Sequence, residues 1–505
     1  MKENRREFLI KSCAALSMGA VATQMRHLGL MSVQAQTKID QDAKSLVPSD
    51  YRALVCIFLA GGNDSNNMVI PTHNDATISN YSVYQAARTA VGLAIDQTVL
   101  ANTSITVPRM GNLTYALHPS LRRDPATQPI GGNIVNDGIH ALWAAGKLAV
   151  VANVGTLVAP MTRTTYLNGS VKKPFQLFSH SDQTNQYQGG RSDVSIFTGW
   201  GGRMSDVRTA LDNPSGLVPM VTSIAGAQLF TNGQLTLPLA IADAGTPIAN
   251  VLNLSGFNGS ATSNARLLSF DQLRSQDLSQ NVIKAASHVT DLARQADAAL
   301  DQALDVTTTF PNTGIGRQLK QVARLIKNRS GLGINRQVFY VQLGGFDTHN
   351  FQAGDQANLF IQLSQAMRAF YDETAAQGIS DKVTQFTMAD FSRTLGPNGT
   401  PTDAGTDHGW GSHQLVVGGG ITASDFYGMN GANGTPFPQL AVNTADDADS
   451  GSGARGRWVP ASSVEQYAAT MARWFGVPDA NLVNVFPKIG NFTNTNLGFM
   501  QPPAP

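Results

Sequence analysis

Five short runs, mostly apolar and most of them closed by glycine, constrain this chain more than any other feature. They are RALVCIFLAGG (52–62), KLAVVANVG (147–155), RQVFYVQLGG (336–345), KVTQFTMAD (382–390) and HQLVVGGG (413–420). Runs of this length without polar alternation suit strands buried on both faces. Between them lie stretches with apolar residues at helical spacing, at 281–304, 317–327, 357–377 and 463–476. In 281–304 the repeat is Val282, Ala285, Val289, Leu292, Ala296 and Leu300, one face of a helix. Strands separated by helices predict an α/β fold, a mainly parallel sheet covered by helices on both faces.

Two segments interrupt that pattern. AQLFTNGQLTL (227–237) sets Asn232-Gly233 between β-prone runs and predicts a β-hairpin insertion. Stretches 244–264, 395–412 and 428–456 are rich in Gly, Asn, Ser and Thr and read as loops, two of them long enough for a lid or binding loop. The expected organisation is a signal segment over 1–35, a single large domain over 48–486 and an extended tail over 487–505.

The N-terminus reads as an export signal. Arg5-Arg6 precede Phe8-Leu9 and a modestly apolar segment, with small residues before a cleavage point after Ala35. This is the twin-arginine pattern, so the twin-arginine translocase is an expected partner and the periplasm or beyond the expected location. The apolar run is far shorter than the roughly 18 residues that a membrane span needs. Of the two cysteines, Cys13 falls in the signal and Cys56 in an apolar run, so the mature chain has no intramolecular disulfide. That suits a route carrying folded, often cofactor-loaded, proteins out of a reducing cytosol. With 36 basic against 35 acidic residues there is no strong field for nucleic acid or an anionic membrane.

Ligands of an open parallel sheet sit beyond the carboxyl ends of its strands. Four polar groups fall at or near such places: Asn63, Asp64 and Asn66 after the first run; Asp347 and His349 in GGFDTH; Asp390 and Arg393 in MADFSR; and Asp407, His408 and His413 in GTDHGWGSH. Each alone reads as an ordinary turn, cap or hydrogen-bonded loop. Together they place three of the nine histidines near aspartates at one sheet edge. Carboxylates with neutral imidazoles suit zinc, as one or two ions. Two ions could stabilise the attacking and leaving oxygens of phosphoryl transfer, and the glycines would let backbone approach an anionic substrate.

The order FLAGGNDSNN, LHPSL, TGWGGR, GGFDTH, DFSRT, TDHGWGSH and VPASSVEQYAATMARWFG, behind the twin-arginine signal, resembles the exported bacterial family labelled domain of unknown function 1501. The resemblance runs over nearly the whole mature chain and implies the fold of the alkaline phosphatase and sulfatase superfamily. It implies a divalent-metal centre, with Asp64 as an early ligand, Asp347 and His349 on one ion, Asp407 and His408 on the other, and His413 completing the first. The implied activity is hydrolysis of phosphate or sulfate esters, on an anionic small-molecule or polymer substrate. The alternative is an inactive metal- or ligand-binding scaffold. Only Thr348 separates Asp347 from His349, where alkaline phosphatases have three intervening residues.

The nucleophile is not obvious. QLFSHSDQTNQYQGG (176–190) contains Ser179, His180, Ser181 and Asp182; Ser181 at a helix start is the candidate, beside the plainer reading of N-caps. Arg393 could hold an anionic group by a bidentate contact, or make a salt bridge to a neighbouring Asp. His118 reads as bonding a buried carbonyl, His288 as structural or solvent-facing, and Trp200 and Trp410 as packing residues. The glycine runs lack the spaced fingerprint of a nucleotide cofactor site.

Overall fold

The computed structural model describes residues 50–502 apart from 76–77, 237, 253–258, 277–278, 280 and 302–303. The segment expected to be a twin-arginine signal, its expected cleavage point and Cys13 lie outside the described residues. The strands of the central sheet, numbered along the chain, are β1 (Arg52–Ala60), β2 (Leu148–Gly155), β3 (Val221–Ser223), β4 (Leu239–Ala240), β5 (Arg336–Gly344), β6 (Val383–Ala389), β7 (Ser412–Gly418), β8 (Phe426–Tyr427) and β9 (Ser462–Ser463). Their order is β8-β2-β7-β6-β1-β5-β3-β4, with β9 also beside β2. All pairs are parallel except those of β7, which runs antiparallel to both β2 and β6. The five apolar runs are the five long strands, and the fold is α/β.

Lack of alternation in β1 has its expected cause. Ala53, Val55, Ile57 and Leu59 enter one core, and Leu54, Cys56 and Phe58 enter another on the opposite face. The first core takes Leu319 and Val322 from helix α1 (Gly314–Lys327) and Phe360, Leu363 and Phe370 from helix α2 (Gln352–Ala376). The second takes Met204 from the helix Trp200–Asp212, and Tyr467, Met471 and Phe475 from helix α3 (Val464–Phe475). Helix α3 starts on a capping box, in which the Ser463 hydroxyl accepts from the Gln466 N–H and the Gln466 side chain accepts from the Ser463 N–H; it stops at Gly476 with φ 113°. Trp200 and Trp410 are packing residues, both fully buried.

Three expectations are corrected. The segment 227–237 is not a hairpin: Leu229–Thr231 form a 3-10 turn, and Leu239–Ala240 pairs parallel to β3. Tertiary bonds override the Asn-Gly signal, since the Gly199 N–H donates to the Asn232 carbonyl and Asp206 accepts the N–H groups of Gln234, Leu235 and Thr236. Antiparallel hairpins occur elsewhere: Ser104–Val107 with Leu113–Leu117, and Arg393–Asn398 with Gly405–His408 in what reads as loop. The tail from 487 is not an extended arm either. Phe492, Leu497, Phe499 and Met500 are buried, and Met500 bridges to Ile421.

Candidate metal centre

The site stands at one edge of the sheet because three parallel neighbours end there. β5, β1 and β6 are adjacent, and their carboxyl ends deliver GGFDTH, GGND and ADFSR side by side. β7 is antiparallel, so its beginning lies at this same edge, and the hairpin before it brings in Asp407 and His408. That hairpin is fixed by the Trp410 indole donating to the Thr156 carbonyl at 2.9 Å and the Gly409 N–H donating to the Ser392 carbonyl at 2.7 Å. The last contributor is the helix His180–Gly189, whose first residue is His180.

The glycines after β1 make this approach possible. Gly61 and Gly62 have φ of 114° and 83°, and a Cβ on Gly61 would lie 2.3 Å from the Asp347 nitrogen. A Cβ on Gly62 would lie 2.5 Å from the Phe391 ring, which in turn packs on the rings of His180 and His408. The glycines thus admit protein backbone and ring.

Four side chains converge. His408 Nε2 lies 3.0 Å from His180 Nε2 and 3.0 Å from His349 Nε2. Asp347 Oδ1 lies 3.3 Å from His180 Nε2, 3.1 Å from His349 Nε2 and 3.7 Å from His408 Nε2. His180, Asp347 and His408 each offer one ligand atom within 4.8 Å of the others. Ligands about 2.0–2.1 Å from a tetrahedral zinc stand about 3.3 Å from one another, so the donor set fits such an ion.

Outer partners set the tautomers. His180 Nδ1 donates to Asp390 Oδ2 at 2.7 Å, and the other oxygen of Asp390 accepts the Gly61 N–H at 3.1 Å. His408 Nδ1 donates to the Phe178 carbonyl at 2.8 Å. His349 Nδ1 faces Asp407 Oδ1 at 3.4 Å. Each Nε2 is therefore free to present a lone pair inward, the arrangement by which outer groups orient metal-ligating histidines. Phe178 holds its carbonyl in place from a left-handed backbone, φ 71°, and Phe351, two residues after His349, has φ 50°. Such conformations are uncommon for bulky residues and cluster at functional sites.

Charge follows the same geometry. The hydrogen bond to Asp390 raises the His180 pKa. Burial lowers that of His408. For Asp347 burial opposes ionisation, but the Arg393 hydrogen bond and charge prevail and its pKa falls.

The remaining expected residues have other surroundings. Asp64 is not among the converging groups: it is buried and ion-paired with Arg88 at 2.5 Å. His413 is also apart, since its Nδ1 accepts the Asn153 N–H at 3.1 Å, its ring stacks on Phe437, and burial pushes its pKa down to about 3. Asp407 stands behind His349, paired with Arg455 at 3.1 Å. Ser181 is exposed, its hydroxyl 3.2 Å from that of Ser179. Arg393 is fully buried and bonds Asp347 Oδ1 at 2.8 Å, so the salt-bridge reading is the one its geometry supports. His118 accepts the Ser120 N–H rather than donating to a carbonyl, and His288 is exposed. Sequence reasoning missed His180 as a member of the set, and it placed Asp390 at this edge without assigning it the role of orienting His180. His180 stands inside the stretch searched for a hydroxyl.

No curated protein matches this chain. Among solved structures, a match is the crystal structure of the PsFucS1 sulfatase from Pseudoalteromonas sp., at 8% identity and a TM-score of 0.26, covering 78% of this chain and 67% of that one. The family model described as "Protein of unknown function (DUF1501)" matches residues 51–446, and the chain belongs to that family.

Proposed function

We propose that this protein is an exported, metal-dependent hydrolase of anionic phosphate or sulfate esters. One observation carries the reading: His408 Nε2, with its Nδ1–H committed to Phe178, faces two other imidazole nitrogens at 3.0 Å and a carboxylate. A single lone pair can accept one hydrogen, so a proton satisfies one of these contacts, whereas a cation at the centre satisfies them all.

His180, His349, His408 and Asp347 would hold the ion, which when bound supplies Lewis-acid polarisation of the ester oxygen and a more acidic water. The chain's own groups do the rest. Asp390 keeps the His180 proton on Nδ1, and the Phe178 carbonyl does so for His408. Arg457 donates to the His408 carbonyl, and Arg455 stands beside Asp407 about one-third exposed, so an anion meets positive charge at the rim. Export rests on Arg5-Arg6 and the segment that follows.

A second reading, a metal-binding scaffold without turnover, is favoured by the exposed Ser181 and by the buried Arg393, neither of which addresses a substrate in this geometry. Protein purified without chelators is assayed on aryl phosphates, phosphodiesters and aryl sulfates with zinc or manganese. Saturable turnover abolished by His408→Ala supports hydrolysis. Bound metal with no turnover on any of them supports the scaffold, and a folded sample without metal above background rejects both.

A further inference from the structure

We infer that this centre takes one metal ion per chain, the buried guanidinium groups of Arg88 and Arg393 holding the positions a second ion would otherwise serve. The inference rests on the metal reading above and adds its stoichiometry. The family resemblance implies two ions, with Asp64, Asp407 and His413 among their ligands, and the side chains do not fit that division.

Asp64 has no lone pair to offer. Its Oδ1 accepts the Asn66 N–H at 3.1 Å and Arg88 Nη2 at 3.2 Å, and its Oδ2 accepts Arg88 Nη1 and the Gln352 amide, both at 2.5 Å. Arg88 is equally complete. Its Nε donates to the Leu395 carbonyl, Nη1 to Asp64 and Asn67, and Nη2 to Asp64 and the Thr394 carbonyl, which uses all five N–H groups. Neither side chain is exposed. An ion entering here would have to displace a charge already paired bidentately out of water.

Arg393 does the corresponding work at the other side of the cluster. Asp347 Oδ1 meets its Nη1 at 2.8 Å while facing the imidazole nitrogens. In a two-ion centre a group between the ions shares its charge with both, and paired ions sit about 3.5–4 Å apart. Here one of Asp347's partners is a guanidinium, itself anchored on the carbonyls of Gly61 and Thr406. Asp407 is engaged by Asn398 and Arg455, and His413 stands apart, its Nδ1 accepting the Asn153 N–H and its ring stacked on Phe437. Among the described residues the ligand atoms of His180, Asp347 and His408 lie within 4.8 Å of one another, and His349 Nε2 joins the same cluster, 3.0 Å from His408 Nε2 and 3.1 Å from Asp347 Oδ1.

Zinc content by mass spectrometry, with calorimetric titration of zinc into the chelator-stripped protein, decides the matter. The expected result is one ion per chain in the wild type, and also in Asp64→Asn and His413→Gln. His180→Ala should weaken zinc more than about a hundredfold, beyond the 10–100-fold typical of outer-shell changes. Two ions per chain, or loss of the ion from folded Asp64→Asn, would overturn the inference and leave the hydrolase reading standing. No bound ion in folded wild type rejects both. Should Asp64→Asn fail to fold, the double variant Asp64→Asn/Arg88→Gln, which removes both charges, is titrated in its place. One ion retained supports the inference and loss overturns it.

Discussion

Two polar clusters stand at the same sheet edge and are built from the same kinds of residue, yet they differ in what they leave open. Around Asp64 every donor meets an acceptor, and no part of the Asp64 or Arg88 side chain touches solvent. Around His408 the outward nitrogens are committed, the inward ones are not, and His180, His349 and Asp347 are each one-third to one-half exposed. The first cluster is a closed hydrogen-bond network and the second an open one. Burial of charge therefore does not mark a site here; uncommitted lone pairs aimed at one point do.

The contrast can be broken most severely at Arg88. Arg88→Met leaves Asp64 buried without its cation and should cost about 3–5 kcal/mol of stability, read by urea denaturation. A loss below about 1 kcal/mol would refute a tightly coupled buried pair.

Glu465 tests the same physics without a guanidinium partner. It is fully buried, and burial raises its pKa from 4.5 to about 7 against the opposing effects of its own backbone N–H, the Ser463 hydroxyl and the more distant charge of Arg203. The folded state binds this proton more tightly than the unfolded state, so stability falls as pH rises from 4.5 through 7. The full cost above that window is about 3 kcal/mol, from about 1.4 per pKa unit. Glu465→Gln should therefore be more stable than wild type at pH 8, by up to that amount, and little changed at pH 4. Parallel melting curves across that range would refute this.

In the open cluster, Asp390→Asn should weaken zinc binding about 10–100-fold without unfolding the chain, because the His180 ring loses its orienting carboxylate. Unchanged affinity by competitive titration would remove Asp390 from the centre. The smallest effect is expected at Phe351, which is mostly exposed in a left-handed backbone. Phe351→Gly should raise stability by about 1 kcal/mol, seen as a small increase in Tm.

The five strand runs were legible because burial on both faces leaves a continuous apolar signature, and four helices were legible from their periodicity. Two things were not. Asn232-Gly233 promised a hairpin, but Asp206, 26 residues before Asn232 in the chain, takes the N–H groups a ladder would need. Within the site, Asp347, His349 and His408 stood in recognisable loops. Asp64 carried the same signal and proved to be an ion-pair partner, because Arg88, which decides its role, lies in an ordinary helix, Tyr81–Arg88. His180 was hidden for the converse reason: its partner Asp390 is 210 residues away.

The last helix and tail have a consequence for how the chain is made. Arg52, at the start of β1, donates to the Trp474 carbonyl, and Arg336, at the start of β5, donates to that of Phe475. β9 pairs with β2, and Phe499 is buried against Tyr427 and Tyr467. The middle of the sheet is thus sealed by residues made long after its first strand, Trp474 standing 422 residues beyond Arg52. That face of the domain closes only after α3 has been made, and the first strand, made hundreds of residues earlier, must wait with Leu54, Cys56 and Phe58 uncovered. An attending chaperone would have its longest engagement with that strand.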